Sequence, residues 1–330
     1  MKKFAFLAAA FSAAALCLTT AGCGPSGGTD TGPAAKKLKI GVSVMTATHG
    51  WSGGIGWFAE HAKKAIEAEN DDVEVLVTAG EDAEKQANAI ENLVLKGVDA
   101  LVVVCQEPGP LTAACERAKK QGVYLVVVSN PLDKPVQDVF VNGDNRSLGE
   151  EAARALGSIL GGKGDILMME GFACPINTDR VNGFRDVMAK EFPEIKIMDS
   201  QLAYWNQEKG MNLMETYLLK YPKIDGVWAG DDDVLLGALQ AYEKSGRKDI
   251  QAMVGGGGSK YIIKKVMDRD PVVKATVTYS PKMCEDGIYK ALEGLRNGKK
   301  PVDGVSEVVI KSEIVTPENA EKYYYPESVY

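Results

Sequence analysis

The sequence contains too few metal-binding side chains for the common zinc sites. Its 330 residues include only two histidines, His49 and His61, and its six cysteines form no C-x-x-C pair. Structural zinc sites need four Cys or His ligands, usually at such short spacings. We therefore expect no bound metal, and the spacing of the cysteines is not typical of a disulfide framework.

An excess of positive charge is absent as well. The chain has 38 Lys and Arg residues against 45 Asp and Glu residues, which gives a net charge of -7. Proteins that bind nucleic acid need a basic surface to neutralise phosphates. After the first 22 residues, no segment approaches the roughly 18 consecutive apolar residues of a transmembrane helix. We expect a mature chain that neither binds nucleic acid nor spans a membrane.

The motifs of common enzyme classes are incomplete. Residues 54–59 (GIGWFA) fit the G-x-G-x-x-A pattern of dinucleotide sites, but a loop separates them from the preceding strand, and TAG at 78–80 replaces the expected acidic residue. The run GGGGSK at 255–260 departs from the phosphate-binding P-loop, and the sequence has no G-x-S-x-G motif. A dinucleotide-dependent enzyme is therefore the less favoured alternative, and we expect no cofactor.

The beginning of the sequence is typical of a secretory signal. Lys2 and Lys3 supply a short basic end, and an apolar stretch follows at residues 4–18. Such a stretch is short for a transmembrane helix and suits a signal peptide, which we place at residues 1–22.

The sequence TAGC at 20–23 resembles the lipobox of bacterial lipoproteins, although Thr20 stands where Leu is usual. The resemblance implies that Cys23 is lipidated and becomes the first residue after cleavage. The alternative is an ordinary signal peptide cut near Ala21. Residues 23–37 are rich in Gly and Pro and would then form a flexible tether.

Hydrophobic periodicity alternates between strand and helix along the rest of the chain. It predicts strands at 39–45, 73–78, 100–105 and 124–129, with helices at 54–68, 82–96 and 111–121. The alternation restarts after residue 164, with strands at 165–169, 195–202, 226–229, 252–255 and 275–278, helices at 179–191, 207–219, 234–245 and 261–268, then a helix at 283–297 and a strand at 305–310. Strands that are apolar on both faces belong in parallel sheets covered by helices. We predict an α/β fold with two similar doubly wound parallel-sheet lobes.

Polar and aromatic side chains follow directly after several of these strands. Ligands of open parallel sheets bind beyond the carboxyl ends of the strands. Trp51, Trp205 and Asp231 are among the groups at these ends. Indole rings stack on the apolar faces of sugars, and carboxylates accept hydrogen bonds from hydroxyl groups. The sequence therefore indicates a site for a polyhydroxylated molecule.

Five stretches carry a family resemblance. They are IGVS at 40–43, AIENLVLKGVDALVVV at 89–104, FVNGDNRSLGEEAA at 140–153, R-x-x-G-F at 180–184 and GVWAGDDDVLLGALQAYEKSG at 226–246. Together they resemble the ribose-type (type I) periplasmic sugar-binding proteins that serve ATP-driven importers.

The resemblance implies two lobes joined by three crossing strands, near residues 141–144, 279–281 and 304–306. The N-terminal lobe would comprise residues 38–143 and 280–304, and the C-terminal lobe residues 144–279 and 305–330. Asp144 and Ser280 would lie at the hinge.

The resemblance also implies which residues contact the ligand. The matching positions are His49, Trp51, Asn130, Thr178, Arg180, Trp205, Asp231, Gly257 and Tyr279. Several positions depart from the family pattern, because Asn130 and Gly257 replace Asp, and Pro131 and Thr178 replace Arg. These changes remove charged groups that would hold a pentose or hexose ring, so we expect a sugar alcohol or a less common sugar.

The candidate aromatic residues also have a purely structural interpretation. Trp51 and Trp205 could be core residues, although both lie in polar loops flanked by glycine. Trp57 and Trp228 are expected to pack. His49 could equally be exposed or hydrogen-bonded without contacting a ligand.

The charged candidates have structural alternatives too. Asp231, Asp232 and Asp233 could form only the N-cap and acidic first turn of a helix. We expect Asp232 or Asp233 to cap that helix and Asp231 to face the ligand. Arg180 is expected to pair with an acidic residue.

These observations predict a solute-binding lipoprotein of an ABC importer. It would capture a sugar or sugar alcohol between its lobes by hinge closure and deliver it to the permease and its ATPase subunits. The alternative is a binding protein that presents its closed form to a chemoreceptor or sensor kinase. We expect an exported monomer in the cell envelope, either in the periplasm or on the outer face of the cell membrane, held there by its lipid alone.

Overall fold

Strands and helices alternate regularly along residues 36–330, which are the residues that the computed structural model describes. The first part contains β1 (Leu38–Met45), α1 (Gly50–Glu69), β2 (Val73–Gly80), α2 (Ala83–Leu95), β3 (Ala100–Val104), α3 (Pro108–Lys120), β4 (Tyr124–Val128) and β5 (Val139–Gly143). The second part contains α4 (Asn145–Ile159), β6 (Lys163–Glu170), α5 (Pro175–Glu191), β7 (Glu194–Leu202), α6 (Gln207–Lys220), β8 (Gly226–Ala229), α7 (Asp232–Ser245), β9 (Ala252–Val254), α8 (Lys260–Met267) and β10 (Val273–Val277). The chain then adds α9 (Met283–Arg296), β11 (Glu307–Ile310) and β12 (Ile314–Val315).

The strands form two sheets with the same doubly wound order. The first sheet has the order β11-β5-β4-β3-β1-β2, and all of its strands are parallel. The second has the order β12-β10-β9-β8-β6-β7, in which only the short β12 runs antiparallel to its neighbour. Each sheet with its helices forms a lobe, called here the N-lobe and the C-lobe. The predicted fold class is confirmed.

The central strands of the N-lobe explain why this sheet forms. Every residue of β3 (ALVVV) and β4 (YLVVV) is buried, since helices cover both faces of the sheet. Continuous β-branched runs suit such a doubly covered parallel strand. Helix α9 packs against β3 and β4, so the chain returns to the N-lobe after it has built the C-lobe. The predicted buried thiol of Cys105 lies at the end of this strand core, and burial raises its pKa to about 12.

The third crossing between the lobes lies further along the chain than expected. Residues 305–310 were assigned to the C-lobe, but β11 pairs in parallel with β5 and extends the first sheet. The chain crosses only after Ile310, and β12 then joins β10 in the second sheet. The correction has a simple cause, because a short apolar strand can extend the edge of either sheet and its sequence does not say which.

Three helices begin earlier than their apolar periodicity indicates. Helix α1 begins at Gly50, α3 at Pro108 and α5 at Pro175. Their first turns contain glycine, proline or polar residues, which weaken the hydrophobic pattern without preventing a helical turn. Strand β5 and helix α4 were not among the predicted elements.

Some predictions lie outside the described residues. They are the signal peptide, the lipidation of Cys23, and all but the last two residues of the tether. Within residues 36–330, no helix is both long enough and apolar enough to cross a membrane.

Candidate functional site

A cavity of about 110 Å³ lies between the two lobes, at the carboxyl ends of their strands. Its lining residues are Met45, His49, Trp51, Ser129, Asn130, Ile176, Arg180, Trp205, Asp231, Gly257 and Tyr279. All the predicted ligand contacts except Thr178 are therefore brought together around one space. Their roles in binding stay a prediction.

Thr178 does not line this cavity. Its side chain is exposed, and its hydroxyl donates a hydrogen bond of 3.1 Å to the carbonyl oxygen of Cys174, one turn back on α5. Ile176, on the same first turn, lines the cavity instead. Thr178 was predicted as a ligand contact from the family resemblance alone. Its position on the first turn of α5 directs its side chain away from the cavity, towards solvent.

The N-lobe wall of the cavity is the loop from β1 to α1. Buried Ser52 organises this loop, because its hydroxyl accepts hydrogen bonds from the backbone N–H groups of Thr48 (2.9 Å) and His49 (3.1 Å). His49 is the N-cap residue of α1, and its ring stacks on Trp51 at 6.5 Å. Burial lowers the pKa of His49, while nearby Asp233 opposes that shift.

Trp51 connects this wall to the hinge. Its indole N–H donates a hydrogen bond of 2.9 Å to the carbonyl oxygen of Tyr279, and the two rings lie 6.0 Å apart. Asn130, on the loop after β4, is fixed in a similar way, since its amide donates to the carbonyl oxygen of Cys105 at 2.8 Å. Hydrogen bonds to backbone carbonyl oxygens fix the orientation of both side chains, and preorganised groups lower the entropic cost of binding.

Arg180 is the buried basic residue on the C-lobe side of the cavity. It is 5% exposed, and it donates hydrogen bonds of 2.9 Å to the side-chain oxygen of Asn145 and to the carbonyl oxygen of Gly230. Neither hydrogen bond goes to an acid, so the expected pairing is an electrostatic interaction with the Asp231 carboxyl group without a hydrogen bond among the described residues. Its guanidinium lies over the rings of Tyr279 (4.6 Å) and Trp205 (5.5 Å), so it presents a charged plane between two aromatic faces.

Trp205 is held in an unusual backbone conformation. Both Trp205 (φ 51°) and Tyr204 (φ 58°) lie in the left-handed region on the loop after β7, and such pairs of non-glycine residues are uncommon. Phe172 packs edge-on against the indole at 5.2 Å, and the indole nitrogen is buried without a hydrogen-bond partner among the described residues. By contrast, Trp228 is fully buried and stacks on Phe184 at 4.2 Å, so it is a core residue as predicted.

The three consecutive aspartates have three different roles. Asp231 lines the cavity and is also the N-cap of α7, where it accepts a hydrogen bond of 2.8 Å from the N–H of Asp233. The expectation that Asp232 or Asp233 provides this cap is therefore wrong. Asp232 is buried and accepts from Ser259 N–H (2.6 Å) and the Thr276 hydroxyl (2.8 Å).

Asp233 reaches across the cleft. Its carboxylate accepts a hydrogen bond of 2.9 Å from the N–H of Gly50, at the start of α1 in the N-lobe. A carboxylate at a helix N-terminus also interacts favourably with the helix dipole. Asp233 therefore joins the two lobes directly.

Burial dominates the titration of the first two aspartates. Desolvation raises the pKa of Asp231 well above its ordinary value, and repulsion from Asp233 and Asp232 adds to that shift. Burial also raises the pKa of Asp232 to about 7, although its hydrogen bonds partly oppose the shift. A carboxyl group facing a cavity can accept hydrogen bonds from hydroxyl groups that enter it, and in its protonated form it can also donate one.

The hinge side of the cavity is built around Tyr279. Its hydroxyl lies 3.3 Å from Ser129 Oγ and accepts a hydrogen bond from the Asn145 amide at 3.4 Å. Its ring packs so closely on Gly143 that a side chain there would overlap it. The two predicted hinge residues lie close by. Asp144 is the N-cap of α4 and pairs with Lys311, while the hydroxyl of Ser280 accepts from Lys282 N–H.

Met45, Ser129 and Ile176 line the cavity but were not singled out from the sequence. Met45 ends β1 and Ser129 follows β4, so the rule that ligands bind beyond strand ends could have found both. Ile176 lies in a helical turn that hydrophobic periodicity did not detect, and no sequence signal marks it.

Comparison with known proteins finds matches to binding proteins. Residues 40–300 match the family described as "Periplasmic binding protein domain". The sequence is 29% identical over 269 residues to the ribose import binding protein of Bacillus subtilis (strain 168), covering 80% of this chain and 84% of that protein. It is 32% identical over 250 residues to the xylitol-binding protein of Mycolicibacterium smegmatis, covering 73% of this chain and 67% of that protein.

A solved structure agrees with these matches. The fold is similar to that of an ABC transporter periplasmic solute binding protein from Actinobacillus succinogenes with bound D-allose, with a TM-score of 0.75 and 25% identity. The similarity covers 87% of this chain and 100% of that one. These relatives are binding proteins and not enzymes, in agreement with the incomplete enzyme motifs. The chain belongs to the periplasmic binding protein family, in its ribose-type (type I) branch.

Proposed function

We propose that this protein is the solute-binding component of an ABC importer and that its ligand is a sugar or a sugar alcohol. The observation that carries the proposal is the cavity itself, in which Trp51 and Trp205 face a space shared with the Asp231 carboxyl and the Arg180 guanidinium. Aromatic faces with a few directed polar groups suit a polyhydroxylated molecule. Its hydroxyl groups would donate to Asp231 and accept from Arg180.

The relatives support this ligand class. The names of two of them state ribose import and xylitol binding, and a similar structure contains D-allose. The departures from the family pattern at Asn130 and Gly257, which both line the cavity, remove charged groups from its wall. We therefore favour an open-chain polyol or an uncommon sugar over ribose itself.

Binding is coupled to closure of the lobes. His49 and Trp51 belong to the N-lobe, whereas Arg180, Trp205 and Asp231 belong to the C-lobe. A ligand touches both sets only when the lobes approach each other, so its binding energy favours the closed state. The hydrogen bond from Gly50 to Asp233 contributes to the same state.

The site of action is the cell envelope. The signal-like segment and the lipobox resemblance support export and attachment through a lipid on Cys23, and the closed form would deliver its ligand to the permease and ATPase subunits. We infer a monomeric binding protein. If this is correct, Cys23→Ser releases the protein from the membrane fraction of cells that express it.

A thermal-shift screen tests the ligand class. The panel contains D-ribose, D-allose, xylitol, myo-inositol and glycerol, with NAD as the comparison for an enzyme. A ligand at about 100 times its Kd stabilises the folded state by about 2.7 kcal/mol, which raises the melting temperature measurably. A shift with NAD alone, or with no polyhydroxylated compound, contradicts the proposal.

Substitution of one indole then tests the site. Trp205→Ala should weaken binding of the best compound by about 1 to 3 kcal/mol while the fold remains intact. Trp57→Ala is the matched control, because Trp57 stacks on His61 outside the cavity and its loss should leave the affinity unchanged. Equal affinities of wild type and Trp205→Ala would remove Trp205 from the site.

A further inference from the structure

Residues 324–330, called here the strap, lie between the two lobes. On one side Tyr325 packs edge-on against Phe58 of α1 in the N-lobe, with ring centroids 5.2 Å apart. On the other side Lys260, at the start of α8 in the C-lobe, donates hydrogen bonds to the carbonyl oxygens of Pro326 and Ser328. The strap is therefore fixed to both lobes.

Tyr330 fills a slot made of three glycines. A Cβ atom on Gly50 would lie 2.8 Å from Tyr330 Cδ2, and one on Gly54 would lie 2.9 Å from Tyr330 Cβ. A Cβ atom on Gly257 would overlap the Tyr330 hydroxyl oxygen. Gly50 and Gly54 belong to α1, whereas Gly257 follows β9 in the C-lobe. The absence of three side chains thus makes room for one tyrosine between the lobes.

The hydroxyl of Tyr330 is buried and has no hydrogen-bond partner within residues 36–330. The residue is only 4% exposed. A buried hydroxyl without a partner is costly, so such a group usually finds one. The buried hydroxyls of Tyr217 and Tyr242 do so, with the carbonyl oxygen of Met168 and the N–H of Ile250.

The unpartnered hydroxyl lies beside the cavity. Gly257, which it touches, is a lining residue. The charged groups that act on the ring are Asp231, Asp232, Asp233 and Arg180, and two of them line the same cavity. Burial, reinforced by the three carboxyl groups, raises the pKa of Tyr330, so its hydroxyl keeps its proton and can donate. The hydroxyl of Tyr124 is also unpartnered in the described chain, but it lies at the start of β4, at the opposite end of the N-lobe sheet.

We propose that Tyr330 is a specificity-determining residue of the interlobe site, where its hydroxyl donates a hydrogen bond to an oxygen of the bound sugar or polyol. The inference rests on the proposed function, since it needs a ligand with hydroxyl or ring oxygens next to Gly257. The strap thereby adds a binding group that none of the strand ends provides.

Calorimetric titration of Tyr330→Phe tests the inference. The probes are the five polyhydroxylated compounds of the thermal-shift panel, D-ribose, D-allose, xylitol, myo-inositol and glycerol. Tyr261→Phe is the matched control, because Tyr261 is exposed on α8. Removing one hydrogen bond should lower the affinity for the probe that wild type binds best by about five- to tenfold, whereas the control should change it less than about twofold. The ligand-free melting temperature of Tyr330→Phe should equal or exceed that of wild type, because no bond within the protein is lost.

The possible outcomes separate the two proposals. If wild type binds a probe and Tyr330→Phe binds it equally well, the inference is overturned and the proposed function stands. If wild type binds none of the probes, both the proposed function and the inference about Tyr330 are contradicted. A clear drop in the ligand-free melting temperature of Tyr330→Phe would show that the hydroxyl is bonded within the protein, which also overturns the inference.

Discussion

Two opposing influences act on His49, the residue that caps α1 at the mouth of the cavity. Burial disfavours the imidazolium, and the nearby Asp233 carboxylate favours it, but burial is the larger effect and the pKa falls below 6.5. The folded protein therefore binds fewer protons at this site than the unfolded chain does just below that pH. Stability at this site is greatest when His49 is neutral.

This predicts a pH-dependent loss of stability. As the pH falls through 6.5 towards the lowered pKa of His49, the unfolded chain gains a proton that the folded protein does not bind, so the free energy of unfolding decreases. Asp231 and Asp232 have raised pKa values, so their contribution to the free energy of unfolding changes with pH in the opposite direction. The pH dependence of a variant must therefore be compared with that of wild type. His49→Gln should remove the part of this pH dependence that His49 contributes.

Urea denaturation at pH of about 7.5 and about 5.5 measures this effect. Relative to wild type, His49→Gln should lose less stability between the two pH values. Thr48→Ala, at the neighbouring exposed position, should behave like wild type. An identical pH dependence of His49→Gln and wild type would contradict the assigned pKa shift.

At the scale of elements, α4 and α5 pack with almost no space between their backbones. A Cβ atom on Gly149 of α4 would overlap the carbonyl oxygen of Arg180, and one on Gly183 of α5 would overlap that of Arg146. Arg180 is the residue that carries the charge in the cavity. The two glycines therefore set the position of Arg180 through the distance between the helices.

Two glycine-to-alanine substitutions test this packing. Gly149→Ala should lower the free energy of unfolding by about 1 to 3 kcal/mol, because the helices must separate. Gly56→Ala is also inside a helix, but apart from its chain neighbours and the backbone of its own helix no described heavy atom lies within 4 Å of the new methyl group. It should raise the free energy of unfolding by about 0.5 to 1 kcal/mol. Chemical denaturation measures both, and equal effects of the two substitutions would contradict the packing argument.

Sequence patterns predicted the presence of a helix or strand better than they predicted where it ends or which sheet it joins. Periodicity located the buried strands such as β3 and β4, because a doubly covered strand has a continuous apolar run. It left α4 unassigned, although this helix buries one continuous face that includes Leu148, Ala152 and Leu156, so its periodicity was sufficient to reveal it. The sheet that β11 joins depends on which edge is free, and no local pattern records that.

The site was predictable where it follows strand ends and unpredictable where it depends on distant segments. Asp231 and Tyr279 closely follow strands, and Trp51 lies in the first turn of the helix that follows β1; the geometry of parallel sheets gathers such positions. The side-chain direction of Thr178 depends on helix phase. Tyr330 comes from the strap, far along the chain from every strand end that it approaches, so no sequence spacing indicates it.

At the scale of the whole molecule, one hydrogen bond joins the starts of two helices from different lobes. Asp233 at the first turn of α7 accepts from Gly50 at the start of α1. This contact forms only when the lobes are together, so its energy is added to that of the ligand in favouring closure.

Removing the acceptor should weaken closure. Asp233→Ala should lower the affinity for the best ligand by about 0.5 to 1.5 kcal/mol, because the partly buried N–H of Gly50 loses its partner. It should also reduce the contraction that small-angle X-ray scattering detects when ligand is added. Asp268→Ala, at the exposed end of α8, is the control and should preserve both. Unchanged affinity and contraction in Asp233→Ala would show that this contact does not contribute to closure.

The late position of β11 and β12 in the chain determines when folding can finish. The N-lobe needs α9 and β11 to complete its sheet and its helix layer, and the C-lobe needs β12 at its sheet edge. During synthesis, therefore, the N-lobe cannot complete its sheet until β11 has left the ribosome, and the C-lobe cannot complete its sheet until β12 has done so. Both lobes therefore complete their sheets within one short stretch of chain, β11 to β12, so neither lobe can finish folding long before the other.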